Sequence, residues 1–308
     1  MLAIVLLGIF FVAMIIIGFW GMKKTVSLND FFLGGRTIGP WISAMAYGTS
    51  YFSAVVFIGF AGKLGWGFGL NVLWIVAGNA LIGSLLAWLV LARRTRTMTQ
   101  NLDVMTMPEF LQERFKGKFT KVLSASVIFI FLLPYSASVF TGLGHLFEIN
   151  FNISYDLALI IMIAITGFYL VLGGYFAITL TDFIQGIIMI IGSVIMVMVL
   201  VGKGGGIAQV FSSISTNYAA HVPAAKQPGI ILLISLVFMT SFGTWGLPQM
   251  VQKFYAIKNE KVIKKAAIVT TVFALIIVFA AYFSGAMSHI FYDKLPMVNG
   301  KPGFDVII

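Results

Sequence analysis

Eight stretches of this sequence are long enough, or nearly so, to cross a bilayer and carry no charged side chain: residues 2–20, 40–62, 65–92, 122–147, 157–172, 183–201, 229–252 and 266–291. A helix needs about 20 mostly apolar residues to span the hydrocarbon core. Inside lipid the backbone must satisfy its own polar groups, so such segments form helices. Composition points the same way. The 308 residues are 60% hydrophobic and 10% charged, with mean hydropathy +1.01, against about 25% charged residues in soluble domains. The expectation is an all-α membrane protein with a single membrane domain over residues 1–308.

Cysteine is absent, which excludes disulfides, thiolate metal sites and cysteine nucleophiles. A net charge of +10 would suggest nucleic acid in a soluble chain, but here the basic residues sit in the connections, so no nucleic-acid partner is expected. Fifteen of the twenty Lys and Arg fall in one alternate set of loops. By the positive-inside tendency that set is cytoplasmic, giving a multi-pass protein of the cell membrane with its N-terminus outside. The first apolar run has no basic n-region and is followed by Lys23 and Lys24, so it reads as an anchor helix and not a signal peptide. PEFLQERFKGKF, at 108–119, reads as a short helix on the cytoplasmic surface. The uncharged but Gly- and Ser-rich stretch 204–225 reads as an external loop with one short amphipathic helix.

Two of the apolar segments are broken in the same manner. The second contains AYGTSYFS, at 46–53, and the seventh contains TSFGTWGLP, at 240–248. They lie five spans apart, the spacing expected of an inverted repeat of five helices whose halves each open on a discontinuous helix. Unwound backbone survives at membrane depth only where it is buried or lines a cavity. There it offers carbonyls to a cation and half-helix N-termini to a carboxylate. Gly48 permits the break, and Thr49, Ser50 and Ser53 add hydroxyls. The alternative is that these small residues serve close helix packing, or bond back to the preceding turn.

Asp182 stands apart from the other acidic residues, which fall in loops or at segment ends. With Gln185 it has the form of a helix N-cap box; it also suits a cation or proton ligand, since a carboxylate within a membrane segment is costly. Tyr135 follows Pro134 and offers a ring and a hydroxyl, although a packed tyrosine is the more ordinary reading. Asn71 and Asn79 suit bridges between helices, in preference to contact with substrate. His145 and His289 read as interfacial and His221 as a loop residue. Motifs for a zinc protease, a nucleophile elbow or a nucleotide-binding loop are missing from the sequence, so the chain reads as no enzyme, and uphill transport would need an ion gradient.

Five stretches together resemble the sodium:solute symporter family, in its proline and pantothenate branches: DFFLGGR (30–36), SAMAYGTSYFSA (43–54), PEFLQERF (108–115), FYLVLGGYFAITLTDFIQG (168–186) and GLPQMVQKFYA (246–256). That resemblance implies a LeuT-type five-plus-five inverted repeat after one extra helix. Residues 1–24 would form the extra helix, 40–201 the first repeat, and 229–291 the first two helices of the second. It implies sodium as the coupling ion, with no other cofactor, held by the backbone carbonyls of Thr49 and Phe52. Asp182 would serve a second cation site or release path. Ser50, Tyr51, Ser53, Tyr135, Thr244 and Trp245 would border the solute.

The sequence departs from the proline carriers at Tyr51, where they have an aspartate, and at Thr240 and Thr244, where they have aromatic residues. This counts against proline itself. The family's main sodium site is completed on the third helix of the second repeat, and the sequence ends at FDVII before that helix, so the chain reads as truncated and, taken alone, as unable to transport. The expected function is sodium-coupled symport of a small organic solute bearing a carboxylate, such as an amino acid or vitamin, by alternating access. The alternatives are a sugar or sialic acid symporter, and the membrane sensor domain of a signalling protein.

Overall fold

The computed structural model describes residues 2–53, 55–151, 153–298 and 301–303. The helices are α1 (Leu2–Lys24), α2 (Leu28–Leu33), α3 (Pro40–Tyr51), α4 (Gly62–Phe68), α5 (Leu73–Gly78), α6 (Arg93–Asn101), α7 (Met107–Phe115), α8 (Lys118–Phe151), α9 (Tyr155–Lys203), α10 (Ile207–His221), α11 (Ile230–Phe242), α12 (Pro248–Tyr255) and α13 (Lys261–Phe291). Wider π-helical turns over Val55–Ala61, Asn79–Leu86 and Trp88–Ala92 join α3 to α6. A two-residue hairpin, β1 (Met297–Val298) with β2 (Lys301–Pro302), follows α13.

The 49 residues of α9 would reach roughly 70 Å at 1.5 Å per residue, over twice the ~30 Å hydrocarbon core. The helix is divided at Gly174, whose φ of 54° and ψ of −154° are not helical. A side chain there would press on the backbone of Phe31 at 3.1 Å, so only glycine suits both the dihedrals and the space. Five described helical stretches are apolar and long enough to cross a membrane, and six if α11 and α12 form one broken span. With α9 divided and the broken Pro40–Ala61 segment added, each of the eight apolar runs has a helical counterpart. The second half of α9 starts at about residue 175, earlier than the sequence boundary at 183.

Two compact units result. The first comprises Met1–Ser50, Trp88–Gln185 and Gly246–Ala267. In it α1 packs on α9 through Met14, Ile17 and Ala177. Tyr47, Trp88 and Phe254 form a ring cluster with centroids 5.0 to 5.6 Å apart. A parallel bridge pairs Ile38, before α3, with Ile257, after α12. The amide of Lys258 donates to the Ile38 carbonyl at 3.0 Å. Two arginines brace the same place: Arg36 donates to the carbonyls of Thr99, Val104 and Tyr255, and Arg96 to those of Ile257 and Lys258. The segment 108–119 is helical over α7, whose Thr106 and Glu109 make reciprocal capping bonds. By contrast α8 exposes large apolar side chains, with Phe129 71% and Phe131 69% accessible, as a lipid-facing helix does.

The second unit comprises Tyr51–Ala87, Gly186–Trp245 and Ile268–Ile308. Its core follows α13 from Ile268 onward, where Phe273, Ile277, Tyr282 and Phe283 are buried, with the ring of Phe211 of α10 tilted against Phe283, centroids 5.3 Å apart. The stretch 204–225 carries the short helix α10, held by the Tyr218 hydroxyl donating to the Gly67 carbonyl at 2.9 Å.

Candidate solute and ion site

Both segments are interrupted, but the first later than expected: Gly48, Thr49 and Ser50 are still helical in α3, so Gly48 does not make the break. α3 stops at Tyr51, and Phe52 and Ser53 lie outside any helix. α11 stops at Phe242, a 3-10 turn covers Gly243–Gly246, Leu247 is extended (φ −70°, ψ 126°), and Pro248 opens α12. Proline at the first helical position costs no hydrogen bond, because that amide lacks a partner anyway. The last turn of each interrupted helix leaves carbonyls without intrahelical donors; in α3 these include Thr49. The Thr49 hydroxyl bonds back to the Met45 carbonyl at 2.9 Å, so the back-bonding alternative is also realised. Phe52 is fully buried and stacks on Tyr51, ring centres 4.1 Å apart. Ser53 is half-buried.

In the first unit the structure brings Thr49, Ser50 and Asp182 together. Asp182 is not a helix cap: it lies well inside the second half of α9, and Gly174 sets where that half begins. Its Oδ2 accepts from Lys253 Nζ at 2.9 Å, with both side chains mostly buried, and Thr49 reaches the same carboxylate. Lys253 Nζ also lies over the Tyr175 ring at 5.4 Å. Lys253 is one of the fifteen basic residues that hydropathy assigns to loops, but the structure buries it on α12, between Val251 and Phe254. Its neighbours gave the signal, since QMVQKFY places apolar residues on both sides of the lysine.

A cavity of about 300 Å³ opens on this pair, lined among others by Ser50, Tyr175, Asp182, Gln249, Gln252 and Lys253. Gln252 donates to the Phe32 carbonyl at 2.9 Å. Both amide atoms of Gln249 are buried and, among the described residues, without a hydrogen-bond partner. Neither glutamine was singled out from the sequence. The described residues hold no cluster of three or more His, Asp or Glu side chains. A monovalent cation here would therefore rely on one carboxylate, hydroxyls and backbone carbonyls, a set that suits a hard ion.

In the second unit Tyr51 and Thr244 belong to one polar network, and Trp245 is held separately. The Tyr51 hydroxyl donates to the Thr240 carbonyl at 2.7 Å and lies 3.2 Å from Asn79 Oδ1. The same Asn79 oxygen accepts from Thr240 at 2.9 Å and Ser241 at 3.2 Å, so Asn79 bridges helices as its position in an apolar segment suggests. Thr244 donates to the Ser241 carbonyl at 3.0 Å, and Trp245 Nε1 to the Ile82 carbonyl at 3.1 Å. Tyr135 takes no part in either cluster. It is 36% exposed and lines a separate groove in the first unit with Gly246, Leu247 and Pro248.

Comparison with known proteins identifies the family. The family model described as "Sodium:solute symporter family" matches residues 31–307. The osmoregulated proline transporter OpuE of Bacillus subtilis is 33% identical over 99% of this chain and 62% of its own length. A sodium/proline symporter of Staphylococcus aureus is 34% identical over 85% of this chain and 51% of its own. The chain thus spans about half to two thirds of these relatives. A sodium-coupled sialic acid symporter, solved in a substrate-bound outward-open state, superposes with a TM-score of 0.79 over 97% of this chain and 63% of that one, at 16% identity. That likeness shows the LeuT-type inverted-repeat helical fold. The relatives are carriers and not enzymes. A multi-pass membrane chain with two interrupted helices and a family match over nearly its whole length, it belongs to the sodium:solute symporter family.

Proposed function

We propose that the full-length protein is a sodium-coupled symporter of a small organic solute bearing a carboxylate, an amino acid or vitamin, working by alternating access. It would sit in the cell membrane with its N-terminus outside. The observation that supports this most is the interruption of two membrane helices at Phe52–Ser53 and at Gly243–Leu247, in a chain of this family. Free carbonyls at such breaks supply cation ligands without a buried charge, and half-helix N-termini supply partial positive charge to a carboxylate.

In this reading the carbonyls of Thr49 and Phe52 hold sodium, and Asp182 serves a second cation position. Ser50, Tyr51, Ser53, Tyr135, Thr244 and Trp245 border the solute, and residues 40–201 and 229–291 belong to the two repeats. The proline named for the relatives is one candidate, although Tyr51, Thr240 and Thr244 differ from the proline carriers. The test is uptake of a panel of radiolabelled amino acids, vitamins and sugars by the full-length protein in proteoliposomes, with an inward gradient of sodium or of potassium. Uptake of a carboxylate solute that requires sodium is expected. Equal uptake in both gradients defeats the proposal.

A further inference from the structure

We infer that the cavity beside Asp182 and Lys253 is a second docking position for the solute, and that it selects amino-acid zwitterions by exchanging partners with this ion pair. The inference rests on the function proposed above and narrows its solute class.

Three observations within one unit carry it. The cavity, about 300 Å³, is at the small end of ligand pockets and suits an amino acid. It lies next to both breaks: Ser50 is in the last turn of α3, and Gln249 is the second residue of α12. Beside Ser50, Tyr175 and Gln252, its polar lining includes one cation, one anion and one uncommitted amide. Lys253 and Asp182 neutralise each other at 2.9 Å, while Gln249 keeps a buried donor and a buried acceptor unused. Buried polar groups are normally paired, and one that is not calls for an explanation. An incoming ligand supplies it.

Breaking a buried ion pair is costly when either partner is left alone. A zwitterion avoids that cost, because its carboxylate and ammonium sit on the same carbon and arrive together. The carboxylate takes Lys253 Nζ and the Gln249 NH2 group, and the ammonium takes the Asp182 carboxylate and Gln249 Oε1. Charge compensation is kept throughout. A sugar brings no charge to separate the pair, and a simple monocarboxylate would strand Asp182. The carboxylate proposed above for a second cation then receives the solute's own cationic group in its turn.

The experiment is equilibrium binding of the twenty radiolabelled L-amino acids, each tested singly, to the purified full-length protein in detergent with sodium. Glucose and propionate serve as controls. For an amino acid that binds, two saturable components are expected, the second closed to the controls. Gln249→Leu should weaken the second component by roughly tenfold or more and leave the first in place, and Lys253→Arg should retain both. One component in the unaltered protein, or a second component indifferent to Gln249→Leu, overturns the inference while leaving the proposed function standing. Sodium-dependent binding of glucose with no amino acid bound overturns both.

Discussion

His221 Nδ1, at the end of α10, lies 3.1 Å from His289 Nδ1, near the end of α13. Both imidazoles stack over the indole of Trp66, with centroids 5.6 and 4.2 Å away. The Trp66 carbonyl, 2.9 Å from His289 Nε2, can only accept, so that nitrogen carries the hydrogen and His289 Nδ1 is the acceptor. His221 therefore donates from Nδ1. The pair thus forms a clasp between α10 and α13. His221→Phe should lower the stability of the detergent-solubilised protein by on the order of 1 kcal/mol, seen as a fall in melting temperature. A melting temperature unaltered by the substitution would count against the clasp.

Removing one charge of the Lys253 and Asp182 pair leaves the other buried and alone. Lys253→Met should cost about 3–5 kcal/mol, seen as a large fall in melting temperature. The double variant Lys253→Met with Asp182→Asn should recover most of that loss. If single and double variants melt together, the pair is not what holds Lys253 in place.

A methyl group on Gly83 would run into the Tyr51 hydroxyl. Gly83→Ala should destabilise by about 1–3 kcal/mol through overpacking. Adding Tyr51→Phe removes the nearest obstructing atom while two ring carbons stay at 2.8 Å, so the two changes should be non-additive in a thermodynamic cycle with only part of the loss recovered. Additive effects would show that the collision is relieved elsewhere.

Arg96 donates to the carbonyls of Ile257 and Lys258 at 2.8 and 2.6 Å and is itself buried. Charged hydrogen bonds contribute about 1.5–3 kcal/mol each. Arg96→Met should therefore loosen the turn after α12, read as faster proteolysis between residues 256 and 261. Unchanged cleavage would mean that the Ile38 bridge alone suffices.

The spans and both breaks were legible because hydropathy and the Gly, Ser and Pro signals act locally. Gly48, Thr49 and Ser50 announce a break just ahead of the true end of α3, and Pro248 marks the start of α12, with no knowledge of neighbours. Asp182 was only half legible. A charge after an apolar run imitates a helix start, whereas the true start is set by Gly174, and the compensating cation is 71 positions further on. Lys253 was hidden for the same reason, since a lysine near basic loops resembles a topology signal until its partner is known. The Asn79 network joins residues over 160 positions apart, and hydropathy does not encode such pairing. The two imidazoles were likewise read singly, as an interfacial residue and a loop residue.

The Ile38 and Ile257 bridge couples the entry to one interrupted helix with the exit from the other. With Arg36 and Arg96 clamped across the same spot, the outer ends of α3 and α12 share one handle. Neither half-helix can swing away on its own without tearing main-chain bonds, so displacement of either drags its counterpart along. Phe52 and Ser53, after α3, and the Gly243–Gly246 turn with Leu247, before α12, lie outside that tie.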